Sequence, residues 1–150
     1  MRISAVIASA VLGFATQIYA QNIQIKNPSE LAKPAGYSHV VIVNHGKLVF
    51  ISGQVGADKN GKVAADFGAQ TRQAFLNLRT ALMAAGAKPS DLVKLNYYVV
   101  GLNHDKLLAI REARDQMIDK DHPPASTLAG VQALFREDVQ LEIDAEAVIP

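Results

Sequence analysis

The side chains that could act on a ligand here are carboxylates, arginines and hydroxyls. The sequence contains no cysteine, which excludes disulfides, thiolate nucleophiles and Cys-ligated zinc or iron–sulfur centres. Its four histidines, His39, His45, His104 and His122, fall at strand starts, turns and helix edges. They lack the paired spacing a metal site requires and read as surface or capping residues, so no metal is expected. A phosphate-cradling glycine loop, a His-Glu-x-x-His helix and a Gly-x-Ser-x-Gly elbow are all missing. Acid, base and carboxylate-clamp chemistry remains, and residue type alone does not choose among the candidates. Glu142 shares the polar side of a strand with Asp144 and Glu146, three interchangeable carboxylates on that reading. Arg114 falls on the apolar-leaning side of a helix. There it is either a snorkelling residue with a buried stem and a wet head, the commoner role, or a fork for a ligand carboxylate. Arg72 and Arg79 belong to the solvated side of another helix.

The elements that position these residues fit one domain, since 150 residues can bury a real core but not two ordinary ones. Residues 1–20 stand apart: Arg2 is their only charge, an apolar stretch runs from Ile3 to Ala15, and Ile18-Tyr19-Ala20 offers a cut before Gln21. This is the pattern of a cleaved secretory signal, with an apolar stretch short for a bilayer span. The expected mature protein is exported, periplasmic or secreted, and free of the membrane. From Gln21 onward the chain carries 14 basic and 14 acidic side chains, so composition gives no reason to expect a nucleic-acid or anionic-membrane partner.

Residues 21–36 read as an extended leader, because Pro28 and Pro34 deny it a continuous helix. Ser38 to Val43 and Lys47 to Ser52 are β-branched and aromatic runs joined by Asn44-His45-Gly46, which predicts a hairpin. A helix is expected from Asp66 to Ala85, with Phe75, Leu78, Leu82 and Ala85 on one stripe, Asp66 as cap and Gly86 as terminator. Leu92 to Val100 alternates as a strand, with Val93, Leu95, Tyr97 and Val99 on its apolar face. A second helix follows from about Asp105 to Asp119, capped by Asn103 and ended by His122-Pro123-Pro124. Ser126 to Ala133 and Val139 to Val148 complete a ββαβαββ order, the last with the cleanest period-two signal. Such an order predicts an α+β two-layer sandwich with a mixed sheet and two helices on one face.

Six segments, in order, carry a resemblance: Gly36-Tyr37-Ser38; Val49-Phe50-Ile51-Ser52-Gly53-Gln54; the helical Gln70 to Leu78; Ala84-Ala85-Gly86-Ala87; Pro123-Pro124-Ala125-Ser126-Thr127; and Leu141 to Val148. Together they resemble the reactive intermediate deaminase family, Rid or YjgF-like proteins, over about Pro34 to Ile149, which assigns 37–150 to a Rid-like domain. The resemblance implies a chorismate-mutase-like fold and a homotrimer whose intersubunit clefts bind small ligands. It also implies cofactor-free hydrolysis of enamines and imines to a 2-oxo acid and ammonia. On that match Tyr37, Ser52, Gly53 and Gln54 are ligand-binding, and Glu142 handles water.

One position departs from the family. Where deaminating members place a carboxylate-binding arginine directly after Pro-Ala, this chain has Ser126. A serine offers one neutral hydrogen bond where an arginine offers a charged fork contributing about 1.5 to 3 kcal/mol. Deamination is therefore expected to be reduced or redirected, with Arg114 the candidate replacement and a small carboxylate- or carbonyl-bearing molecule the expected ligand. The alternative is a non-catalytic ligand-binding, chaperone-like or protein-interaction trimer.

Overall fold

The computed structural model describes residues 22–150; the expected signal and its cut lie outside the described residues. Eight strands and helices follow in the order β1 (Ile23–Lys26), β2 (Val40–Val43), β3 (Lys47–Val55), α1 (Phe67–Ala84), β4 (Leu92–Val100), α2 (His104–Asp115), β5 (Ala125–Val131) and β6 (Leu141–Ile149). Four strands form a mixed sheet in the order β3-β6-β4-β5, with only β4 and β5 parallel. Both helices lie over one face of it, the chorismate-mutase-like α+β sandwich expected from the sequence.

The core forms where the apolar stripes of sheet and helices meet. Leu141, Ile143, Ala145 and Ala147 of β6 face Phe75, Leu78 and Leu82 of α1 and Ile110 of α2, all buried. The helix starts follow the sequence. The Asp66 side chain accepts from the Ala69 N–H and that of Asn103 from the Lys106 N–H, each satisfying a donor that a helix start leaves open. Gly86 ends α1 with φ of 78°, in the left-handed region that favours glycine.

Four expectations are corrected. The extended leader holds a strand that the sequence did not predict: Ile23–Lys26 pairs antiparallel with β2. The expected hairpin is also absent, because β2 joins β1 in a two-stranded ribbon while β3 pairs with β6. At Gly46 the backbone runs against Val148 and the Ile149 carbonyl with φ of 123°, so the turn delivers β3 to β6. The second helix stops at Asp115 rather than Asp119, since the Gln116 N–H turns back to the Ala113 and Arg114 carbonyls. Finally, a register shift between Leu92 and Lys94 puts Leu92, not Val93, in the core with Leu95, Tyr97 and Val99. Such a bulge slips the alternation by one residue.

Candidate functional site

The sequence-predicted residues fall into two groups on opposite faces of the four-stranded sheet. Ser126 pairs across the sheet with Leu95, whose side chain is in the core, so Ser126 faces the helices. Glu142 pairs with Tyr98 on β4 and Val55 on β3, one residue out of phase with the core positions Leu141 and Ile143, so it faces away from them. No ligand confined to one copy of this chain touches both.

On the helix side, Tyr37, Arg114 and Ser126 line one cavity of about 220 Å³, together with Tyr97, Leu107, Ile110, Arg111, Leu128 and Ala35. A strap from the loop before β2 places Tyr37 there. Ser38 is buried, its hydroxyl donates to the Pro123 carbonyl, and its N–H donates to the Pro124 carbonyl at 3.0 Å. This isolated parallel bridge holds residue 37 beside the start of β5. Arg114 arrives from the last turn of α2, and its side chain is only 13% exposed, so the snorkelling role does not describe it. Its Nε and Nη2 donate to Asp115 Oδ1 at 2.8 and 2.7 Å. The guanidinium lies against the backbone of Gly36, where a Cβ would collide with it and where φ of 75° already favours glycine.

Tyr97, read from the sequence only as an apolar strand residue, brings a hydroxyl into this region. The residue is 3% exposed and its hydroxyl has no hydrogen-bond partner. Burial drives its pKa well above the ordinary tyrosine range, with the Arg114 guanidinium opposing and the Asp115 carboxylate adding to the rise. The strand alternation identified the position; nothing in it marked the hydroxyl as unpaired.

On the outer face the Ser52-Gly53-Gln54 segment is a bulge. Ile51 pairs with Ala145 and Gln54 with Ile143, so Ser52 and Gly53 together stand opposite Asp144. The extra residue brings the Gly53 backbone against the Glu142 side chain so closely that a Cβ would overlap its carboxylate. The Gln54 amide turns back to the Ser52 carbonyl at 3.0 Å, bracing the bulge rather than reaching outward. Register supplies the remaining neighbours of Glu142. Asn96 Nδ2 donates to Asp144 Oδ1 at 2.7 Å, and the Tyr98 hydroxyl is bonded to Asp144. That hydrogen bond first, then the Asp144 charge, burial and the Glu142 charge, raise the Tyr98 pKa. Among the described residues no group of three or more His, Asp or Glu side chains could hold a metal ion.

A carboxylate braced against a glycine bulge on one face, and a tyrosine strapped beside the start of β5 on the other, are spaced along the chain as the sequence resemblance requires. Comparison with known proteins agrees. Residues 27–149 match the family model described as Endoribonuclease L-PSP. The chain is 36% identical over 124 residues to the 2-iminobutanoate/2-iminopropanoate deaminase of Salmonella typhimurium, covering 80% of this chain and 94% of that one. The crystal structure of a conserved Rid-family protein of unknown function, YyfB from Yersinia pestis, superposes with a TM-score of 0.76 at 34% identity, covering 85% of this chain and 99% of that one. Escherichia coli TdcF with bound serine follows with a TM-score of 0.62 at 30% identity, covering 72% of this chain and 85% of that one. With fold, motif order and sequence agreeing over nearly all of residues 27–149, the chain belongs to the reactive intermediate deaminase (Rid, YjgF-like) family.

Proposed function

We propose that this protein is an exported RidA-type trimer whose intersubunit cleft takes a small carboxylate- or carbonyl-bearing ligand. Residues 1–20 act as a cleaved secretory signal, a reading supported by β1, which begins at Ile23, three residues past the expected cut. Hydrolysis of 2-imino acids is reduced or redirected, because Ser126 stands where the family's carboxylate-binding arginine belongs. Assembly is supported by the separation of the two groups: Glu142 meets the ligand held by Tyr37 and Ser126 only if one copy supplies the first and a neighbour the others. The outer face also leaves Leu48 and Phe50 exposed, Phe50 at 74%, an apolar surface that suits a closed symmetric contact. That relatives include a 2-iminobutanoate/2-iminopropanoate deaminase and a protein crystallised with serine supports a small amino-acid-like ligand.

One observation carries the reading. Arg114 lies on the cavity wall shared by Tyr37 and Ser126, so a cation is present, but it reaches the ligand from α2 and is held by Asp115. It is thus a weaker clamp than an arginine projecting from β5. The test is Ser126→Arg, assayed on enzymatically generated 2-imino acids with 2-oxo acid formation as readout. Restoring a charged fork worth about 1.5 to 3 kcal/mol raises kcat/KM roughly ten- to hundred-fold. Adding Glu142→Gln then removes most of the gain, because water is no longer oriented while binding persists. A Ser126→Arg protein that folds, trimerises and stays inert overturns the reading in favour of a binding or interaction role.

A further inference from the structure

Arg114 forms a wall common to two cavities. On one side is the space of about 220 Å³ that it shares with Tyr37, Tyr97 and Ser126. On the other is a space of about 340 Å³, bounded by Gly36 and Asp115. Arg111 and Ala35 border both. Arg114 thus stands against both spaces, and the carboxylate its guanidinium donates to is that of Asp115. Asp115 is itself 40% exposed, and an ion pair to so wet a partner contributes little net stability. A second carboxylate arriving in the cavity competes for the same N–H groups on nearly equal terms.

The Tyr97 hydroxyl gives that exchange a direction. It is sealed from water and unpartnered, and a buried donor without an acceptor is a standing cost to the fold. The phenol is protonated at physiological pH, as an ordinary tyrosine is, so it has a proton to donate. The Arg114 and Arg111 guanidiniums and the Tyr37, Ser126 and Tyr97 hydroxyls can all donate here, and the carboxylate beside them is that of Asp115. A ligand carboxylate, with two oxygens, accepts from several of these donors at once.

We propose that Arg114 is a two-position clamp: parked on Asp115 it divides the two cavities, and turned onto a ligand carboxylate it joins them and lets Tyr97 donate that carboxylate's second hydrogen bond. The inference rests on the cleft reading above and deepens it, naming Tyr97 as a second donor that strengthens the hold of Arg114 on an acid over its neutral analogue. It assigns Asp115 the role of competitor, not of support for Arg114.

The test measures calorimetric binding of 2-oxobutanoate, with its methyl ester as the neutral control, to the trimeric wild type and two variants. Tyr97→Phe removes only the hydroxyl; it weakens acid binding about tenfold, leaves ester binding unchanged, and melts no lower than wild type. Asp115→Asn, which releases the clamp, tightens acid binding about threefold, the scale of an exposed ion pair. Equal weakening of acid and ester in Tyr97→Phe overturns the proposal, as does weaker acid binding in Asp115→Asn. Wild type that binds the acid while Tyr97→Phe binds it equally well overturns the clamp and leaves the cleft reading standing. Wild type that binds neither compound overturns both.

Discussion

On the helix side of the sheet, Tyr37, Arg114 and Ser126 come from three separate stretches of chain and meet because loops are strapped onto strands. On the outer face, Glu142, Asp144 and Gly53 come from two adjacent strands and meet because the register of β3 on β6 leaves them no other place. The first arrangement depends on long-range contacts such as Ser38 with Pro123 and Pro124, and its key cation is held by a single exchangeable carboxylate. The second is built from ladder hydrogen bonds plus one bulge, and its key carboxylate is placed by strand register against the Gly53 backbone. A change of ligand is easier to accommodate on the helix side, where side chains from separate stretches meet, and that is the side on which the proposed departure at Ser126 lies.

The largest test of this contrast is to remove the second copy. Phe50 pairs with Glu146 on the outer face and is exposed in the single chain. Phe50→Glu puts a charge on the face proposed as the trimer contact, where burying each aromatic side chain would be worth roughly 1.5 to 3 kcal/mol. Light scattering then gives one chain instead of three, and 2-oxobutanoate binding is lost although every residue of the helix-side cavity is untouched. A variant that stays trimeric means that the outer face is not the assembly surface.

The two glycines sharpen the comparison. Gly36→Ala adds a Cβ to a left-handed residue and against the Arg114 guanidinium. It costs about 1 to 2 kcal/mol of stability from the backbone alone, read as a lower urea midpoint. Gly53 carries no such backbone requirement, and a Cβ there meets a side chain that can swing. Gly53→Ala therefore keeps the urea midpoint nearly unchanged, yet displaces the Glu142 carboxylate and lowers the activity of the Ser126→Arg protein about a hundredfold, the low end for losing a positioned proton-transfer group. Equal loss of stability in both variants would show that the two faces are held in the same way.

These particulars also mark what the sequence made legible. The β6 alternation from Leu141 to Val148 was plain because one face of that strand is buried and the other is not, and the Asp66 and Asn103 caps were plain because capping is local. The opposite placement of Ser126 and Glu142 was not, since it depends on which residues of β4 they pair with, and register between distant strands leaves no mark on either strand alone. Bulges at Val93 and at Ser52-Gly53 each break a period-two pattern by one residue, which composition does not record. For Arg114, helical periodicity placed the stem correctly. Whether the head was wet was decided by Gly36, nearly eighty residues earlier. β1 was hidden by its four-residue length and its position among prolines.

The smallest expected effect compares the two tyrosines that stand side by side in β4 and point to opposite faces. Both have a raised pKa, Tyr97 mainly through burial and Tyr98 mainly through its hydrogen bond to Asp144. A raised value means that the folded chain holds the phenol proton more tightly than the unfolded chain does. That contribution is fully present below the unfolded tyrosine value of about 10 and is lost as pH climbs through the higher folded values. Stability therefore falls on the alkaline side, above about pH 10, and the loss belongs chiefly to the buried residue, because water screens Tyr98. In urea titrations of the dissociated Phe50→Glu chain from neutral to alkaline pH, Tyr97→Phe flattens the decline, and Tyr98→Phe changes it much less. In the assembled protein the Tyr98→Phe effect grows, because a neighbouring copy covering Asp144 and Glu142 dries the outer face; an equally small effect in both would mean that the outer face stays open to water.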